Sequence, residues 1–461
     1  MKLNKIMLSA AAVAALSAVT AAAQVSFHSD IDFTTYAVQQ DFTNTNGTKS
    51  NTEPSAAYDP DGSFKIDVNA TASSFAFELG LYFNPDGGLS TDYYDISDLY
   101  STHFYKGNMK VGFLGNQLQL YIGKFEDFNA DYIAGGYVVD DQSITNLADS
   151  TFGQYFTGLE YAPSYLPGLR VIAGLPIMPI MGNGEHYSVA YAQWKNLWKK
   201  VKVAASYMMP LGDYSLQLNA GYRYGTFYDG IQGDAATYTT DSELATAYTK
   251  SAFGEGYIQA ILPGFMDLGD ITVSYDIRHR NADYVNISAE TVEKLALAHY
   301  AQVGFATKLM DNELALNVED RFFYADDDYV ASNEKVLWDM LAVNAEYALP
   351  GTIFSVGADL AGMFAADANG TGIVDGAINN TKFAADSDNI TMTFNGLSCA
   401  AATGEGATTY IGAYACPYLK INFSNGALKI GAEVAYTRFF TSDVTNTCFA
   451  YRVPVGLNFA F

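Results

Sequence analysis

The chain has 461 residues, of which 16% are charged, and its formal net charge is −25. Soluble domains carry about 25% charged residues, so this content is low for a soluble protein. The negative charge argues against a nucleic-acid partner, because phosphates bind basic surfaces. Hydrophobic residues make up 49% of the chain and aromatic residues 14%, yet the mean hydropathy is near zero. Apolar and polar residues must therefore be finely interleaved.

Residues 1–23 have the layout of a cleavable export signal. A start with two lysines is followed by an apolar run over 6–19, and Ala21 and Ala23 form an A-x-A cleavage site. No later apolar run reaches the length of about 18 residues that a transmembrane helix needs. We therefore expect the mature chain, residues 24–461, to be one exported domain that contains no membrane-spanning helix.

The mature chain repeats a pattern of strand, short turn, strand and long loop. Short segments rich in Pro, Gly, Asn and Asp mark the turns, as in 349–351 and 424–426. Counting in this way predicts about 18 strands, or 16 if the segment 63–70 is irregular. The predicted strands are 25–37, 63–70, 73–84, 102–114, 117–130, 152–162, 169–177, 199–209, 213–228, 251–262, 269–280, 297–309, 313–325, 336–348, 352–364, 408–422, 427–440 and 449–461.

Within these strands an apolar row faces a polar row with a period of two residues. In 73–84, for example, Phe75, Phe77 and Leu79 alternate with Glu78. The repeated polar row predicts a wet interior and an apolar outer surface, the reverse of a soluble barrel. The side chains predicted to line a pore are Glu78, Arg223, Asp276, Arg278, Glu319, Arg321, Glu346, Asp359, Lys420, Lys429, Glu433 and Arg452.

The segment 187–201 departs from this pattern, because its apolar residues fall at helical spacing. One hypothesis is a loop helix that folds into or across the mouth of the barrel and sets its width and local charge. The alternative is an ordinary strand pair with a turn at the membrane edge. The candidate constriction residues are Tyr187, Trp194, Lys195, Trp198, Lys199 and Lys200.

The chain has three cysteines, and export makes a disulfide feasible. Cys399 and Cys448 both fall in segments expected outside the cell, so they are the favoured pair. Cys416 lies in mid-strand and is expected to remain a buried thiol. A pair of Cys399 with Cys416 stays open, because spacing alone does not decide connectivity.

The sequence offers no recognisable catalytic constellation. Neither G-x-S-x-G nor H-E-x-x-H occurs, and the five histidines are not spaced as a metal site. We therefore predict a protein that is not an enzyme and that uses no cofactor and no metal.

The last strand alternates strictly and ends the chain on Phe461. Together with the export signal and the repeated turns, it makes the chain resemble a bacterial outer-membrane porin. The resemblance implies an all-β transmembrane antiparallel β-barrel of 16–18 strands, with short periplasmic turns and long extracellular loops. It also implies a location in the outer membrane, contact with lipid, and recognition of Phe461 by the barrel assembly machinery. The implied function is passive diffusion of small hydrophilic solutes and ions, and a homo-oligomer is left open.

Two other functions remain as alternatives. A transporter of hydrophobic compounds would resemble a narrower barrel with an N-terminal plug, but the first predicted strand begins at Val25 and leaves no residues for one. A surface adhesin or a structural barrel would place its function in the long segment 365–407, which is rich in Gly, Ala and Asn and contains Cys399.

Overall fold

A computed structural model describes residues 23–43, 48–51, 61–83, 104–124, 138–140, 155–176, 201–226, 252–265, 268–280, 284–286, 291–293, 297–325, 336–366, 372–376, 381–385, 389–394, 397–402, 407–441 and 445–460. In these segments no helix is long and apolar enough to cross a membrane.

The regular elements of the described chain are β-strands. The first fourteen are β1 (Ala23–Thr43), β2 (Thr48–Asn51), β3 (Asp61–Ala72), β4 (Phe75–Phe83), β5 (Phe104–Phe113), β6 (Leu118–Lys124), β7 (Val138–Asp140), β8 (Tyr155–Tyr161), β9 (Leu169–Pro176), β10 (Lys202–Leu211), β11 (Tyr214–Thr226), β12 (Ala252–Phe265), β13 (Gly269–Arg280) and β14 (Tyr284–Asn286). The others are β15 (Thr291–Glu293), β16 (Leu297–Leu309), β17 (Leu314–Ala325), β18 (Val336–Ala348), β19 (Phe354–Ala366), β20 (Gly372–Gly376), β21 (Thr381–Ala385), β22 (Asn389–Phe394), β23 (Leu397–Ala402), β24 (Ala407–Phe423), β25 (Gly426–Gly431), β26 (Glu433–Thr441) and β27 (Thr445–Ala460).

The strands close into one antiparallel barrel whose wall has 18 strands. β1 pairs with β3 on one side and with β27 on the other, which joins the two ends of the sheet. The remaining wall strands pair in chain order. β25 and β26 both lie between β24 and β27 and make one crossing, which is interrupted at Ala432. The predicted antiparallel barrel is confirmed, and β3 is a regular strand of its wall.

The turns at one end of the barrel are as short as the sequence predicted. Residues 424–425 join β24 to β25, and residues 310–313 join β16 to β17. In the latter turn Asp311 and Asn312 have φ values of 54° and 73°, a left-handed conformation that Asn and Asp tolerate better than most residues. Such turns join neighbouring strands directly, so they hold the antiparallel register along the wall.

The two faces of the wall differ in chemistry. On the outer face, apolar side chains such as Ile258, Val303 and Leu341 are exposed. On the inner face, polar side chains such as Gln259, Gln302 and Glu319 are buried. An apolar surface of this extent would be costly in water, whereas it matches the hydrocarbon of a lipid bilayer.

Two small sheets lie outside the wall. β14 and β15 form a hairpin between β13 and β16. A five-stranded sheet has the order β23-β22-β21-β20-β7. Four of its strands come from the long segment between β19 and β24, and β7 comes from the segment between β6 and β8. The segment 365–407, one of the candidate sites for an adhesive function, therefore contains regular strands.

Candidate functional site in the barrel interior

The inner wall of β18, β19, β24 and β25 contains a continuous network of charged and polar side chains. The Nζ of Lys420 donates to both carboxylate oxygens of Glu346, each at 3.1 Å. The hydroxyl of Tyr418 donates to the same carboxylate at 3.2 Å. The Nζ of Lys429 donates to Asp359 at 2.9 Å and lies 3.9 Å from the centre of the Tyr418 ring. Asn344 donates to Asp359 and, at 3.4 Å, to the hydroxyl of Tyr418, and so connects the two ion pairs.

A third ion pair lies next to this network, on β26 and β27. Arg452 is directly opposite Glu433 in the antiparallel register and donates to its carboxylate. The hydroxyl of Tyr414 donates to the other oxygen of Glu433 at 3.0 Å. The Glu433 side chain is fully buried. A buried carboxylate requires such partners, because removing its charge from water is otherwise very costly.

Another part of the inner wall, from β11 to β16, contains a row of neutral polar side chains. The amide of Asn219 donates to Gln259 at 2.9 Å, and the amide of Gln259 donates to Ser274 at 3.1 Å. On β17, Arg321 donates to Glu319, which also accepts from the amide of Gln302. This part of the inner wall is therefore polar, with one ion pair at its end.

A further ion pair lies on β8 and β9. Arg170 donates through Nη2 at 2.8 Å and through Nε at 3.3 Å to the two oxygens of Glu160. The hydroxyl of Tyr121 also donates to Glu160, and the Nζ of Lys110 lies 5.1 Å from the centre of the Tyr121 ring. Sequence reasoning did not select these four residues. The alternation of Glu160 with Leu159 and Tyr161 was the signal that could have found the carboxylate.

Inward tyrosines lie flat against glycines of the adjacent strand. Tyr418 is directly opposite Gly357, where an added Cβ would come within 2.3 Å of the ring. Tyr257 is directly opposite Gly221, where an added Cβ would come within 2.4 Å. Each glycine leaves room for a ring to lie along the wall, as in the aromatic cover of strand glycines in other sheets. The rings therefore take up little of the interior space.

The structure places the described members of the predicted pore-lining set on the inner face. Glu78 accepts a hydrogen bond from Asn108 at 3.2 Å, and Asp276 is buried. Arg223 and Arg278 both occupy positions directly opposite Glu255 on the same face, but their side chains lie outside the described part of the structure. Whether this set lines an open path stays a prediction.

The predictions about the constriction residues, the terminal Phe461 and the disulfide concern residues that the structure describes only in part or not at all. The candidate constriction residues of 187–200 and Phe461 lie outside the described residues. Cys416 is buried in mid-strand, and its alternative pairing with Cys399 stays a prediction. Cys448 is buried on the inner face of β27. Its pairing with Cys399 stays a prediction, because the Cys399 side chain is not described.

The positive charges of the described inner wall are closely compensated. Arg170, Arg321, Lys420, Lys429 and Arg452 each form an ion pair with a carboxylate. Among the described residues, no group of three or more His, Cys, Asp or Glu side chains could hold a metal ion. The described inner wall therefore presents many hydrogen-bonding groups and little uncompensated positive charge.

A closed antiparallel wall that is apolar outside and polar inside defines a transmembrane β-barrel of the outer-membrane type. No protein-family model and no curated protein matches the sequence. Solved outer-membrane barrels do resemble the chain. OpdQ of Pseudomonas aeruginosa is 10% identical, with a TM-score of 0.44, over 95% of this chain and 98% of OpdQ. OprB of Pseudomonas putida is 10% identical, with a TM-score of 0.39, over 95% of this chain and 94% of OprB. The outer-membrane channel DcaP of Acinetobacter baumannii is 10% identical, with a TM-score of 0.37, over 96% of this chain and 98% of DcaP.

Proposed function

We propose that this barrel is a porin-like channel through which small hydrophilic solutes and ions diffuse passively across the outer membrane. The observation that carries the proposal is the polar inner face, which continues from strand to strand opposite an apolar outer face. A purely structural barrel could fill its interior with apolar side chains, whereas a channel must hydrate what passes through it. The 18 wall strands also fall in the size range of barrels that keep an aqueous channel.

The chemistry of the wall favours polar solutes of low charge. Hydrogen-bonded amide and hydroxyl groups such as those of Asn219, Gln259 and Ser274 make the wall polar without adding charge to it. The ion pairs of the wall exert only a weak net electric field on a passing ion, because each paired positive charge lies beside a negative one. We therefore propose little discrimination between ions of opposite sign and no chemical step.

Reconstitution tests the proposal directly. Purified protein in a planar bilayer should give discrete conductance steps, and proteoliposomes should swell in solutions of small sugars. A matched control is protein that has been boiled in detergent, which should give neither signal. Folded protein that inserts into bilayers yet passes neither ions nor sugars would contradict a channel and favour a structural or adhesive barrel.

A further inference from the structure

The five-stranded sheet outside the wall joins two loops that start far apart around the barrel. β7 belongs to the loop between β6 and β8, and β20–β23 belong to the loop between β19 and β24. The register pairs Val139 of β7 with Val374 of β20. Six wall crossings separate β24 from β6 in one direction around the ring, and eight separate β8 from β19 in the other. The two loops therefore rise from nearly opposite sides of the barrel.

Two loops from opposite sides can share a sheet only if their chains meet over or inside the lumen. A backbone ring of 18 strands has a diameter of about 35 Å when strands are about 4.8 Å apart and tilted by about 40°. Its five hydrogen-bonded strands cover about 19 Å of this distance, because four strand spacings of about 4.8 Å separate β23 from β7. The sheet therefore forms a bar that links the two loops across part of the opening.

The position of β23 indicates that one end of this bar rests on the inner wall. β23 lies against β26, β27 and β1, three consecutive strands of the ring. The inward side chains of β26 and β27 beneath the extracellular end are Ala435, Thr437, Cys448 and Ala450, and their exposed fraction is 0%. On the outer face of β26, Val434 and Tyr436 are 39% and 41% exposed. β23 lies against the same strands, so it can cover these inward side chains, whereas the outer face of β26 stays open.

We propose that the sheet formed by β7 and β20–β23 is a crossbar that narrows the channel and rests on the inner face of β26 and β27. This inference rests on the proposed channel function and assigns its constriction to the described strands β7 and β20–β23. The five strands contain only three charged residues, Asp140, Asp375 and Lys382. The crossbar therefore selects by size more than by charge, and its substrate class is small neutral polar solutes.

A loop deletion tests the crossbar. Residues 372–402 are replaced by a short Gly-Ser linker, which is feasible because β19 and β24 are neighbours in the wall. We expect the single-channel conductance to rise at least about threefold and larger sugars to enter proteoliposomes, since a bare barrel of this size keeps a wide aqueous lumen. The matched control replaces 229–249 between β11 and β12, which are also neighbours, and should leave both quantities nearly unchanged.

The possible results distinguish a failure of the crossbar proposal from a failure of the proposed channel function. Equal conductance of the wild type, the deletion and the control would overturn the crossbar and leave the channel intact. Failure of all three folded proteins to conduct would overturn the channel. A silent wild type with a conducting deletion variant would support the crossbar and contradict an open resting channel.

A cross-link tests the same placement without deleting a segment. In a background with the three native cysteines changed to alanine, Val139→Cys with Val374→Cys puts two thiols directly opposite each other in the register. Oxidation by copper phenanthroline should join them, as mass spectrometry of the digested protein would show. Val139→Cys with Ile390→Cys is the control, because β22 is three strands from β7 and a separation of about 14 Å is too long for a disulfide. A folded first variant that gives no more cross-link than the control would overturn the crossbar.

Discussion

The ion pair between Arg452 and Glu433 shows how much one residue contributes to this wall. The Glu433 side chain is fully buried, whereas the Arg452 side chain is 17% exposed. Replacing Arg452 by Met removes this cation from the buried carboxylate of Glu433, to which the hydroxyl of Tyr414 still donates. We expect the free energy of unfolding to fall by about 3 kcal/mol, since an uncompensated buried charge is costly. Urea titration of the folded barrel in detergent measures the change.

Lys420→Met is the matched control for this prediction. It removes one cation from an ion pair whose members, Lys420 and Glu346, are 30% and 25% exposed. Water compensates for the loss here, so the expected change is about 1 kcal/mol or less. If Lys420→Met costs as much as Arg452→Met, burial does not set the contribution of these pairs.

Adjacent residues of β25 test the assignment of the two faces. Ile430 is on the outer face, and Lys429 pairs with Asp359 on the inner face. Ile430→Arg places a charge in hydrocarbon and should lower the free energy of unfolding by about 2–4 kcal/mol in lipid vesicles. Lys429→Arg keeps the charge on the polar side and should cost much less. A neutral Ile430→Arg would mean that this part of the wall does not face lipid.

At the scale of the element, strands β17 and β18 contain an exception to the apolar outer face. Asp320 and Asp339 are exposed between apolar neighbours. The sequence pattern identified the inward Glu319 and Arg321 of β17 but did not reveal that Asp320 faces outward.

The outward carboxyl pair leads to a prediction about membrane stability. Asp320→Leu should raise the free energy of unfolding in lipid vesicles by about 1 kcal/mol, because hydrocarbon disfavours a carboxyl group. The same change at the inward Asp359 should lower it, because Lys429 and Asn344 would lose their acceptor. A destabilised Asp320→Leu barrel, or one that loses an oligomer seen in the wild type, would indicate that these carboxyls face protein.

A polar aromatic cluster lies nearby on the outer face. The hydroxyl of Tyr275 is 2.7 Å from Nδ1 of His299, whose ring stacks with that of Tyr324 at a centroid distance of 6.2 Å. These residues come from β13, β16 and β17, close to the ends of the strands that lead into the long loops. Amphipathic rings at this position are typical of the boundary between lipid and water.

At the scale of the whole molecule, the charge distribution predicts weak and salt-dependent ion selectivity. The wall pairs its charges, whereas acidic runs such as Asp326–Asp328 fall between wall strands. Acidic loops concentrate cations at the mouth, and salt screens this effect over a Debye length of about 8–10 Å. We expect a mild cation preference in dilute KCl that fades in concentrated KCl, measured as the reversal potential across a salt gradient. An anion preference in dilute KCl would contradict this.

Much of the barrel could be predicted from the sequence because its signals are local. A strand with a period of two residues shows its two faces in its own composition, and a turn shows its Gly, Pro, Asn or Asp residues. The 18 strands and the inward positions of Glu319, Glu433 and Arg452 follow from such patterns. The reversed polarity of the two faces also indicates lipid outside the barrel and water-compatible chemistry inside it.

The tertiary structure decided what depends on register and on contacts between distant segments. Lys420 and Glu346 are 74 positions apart in the chain, and Lys429 and Asp359 are 70 apart. No local pattern says which lysine meets which carboxylate, because that depends on how neighbouring strands are staggered. The pairing of β7 with β20 joins segments still farther apart. The sequence by itself therefore determined a wall and its two faces, whereas the closed sheet decided which charges compensate one another and which loops cross the opening.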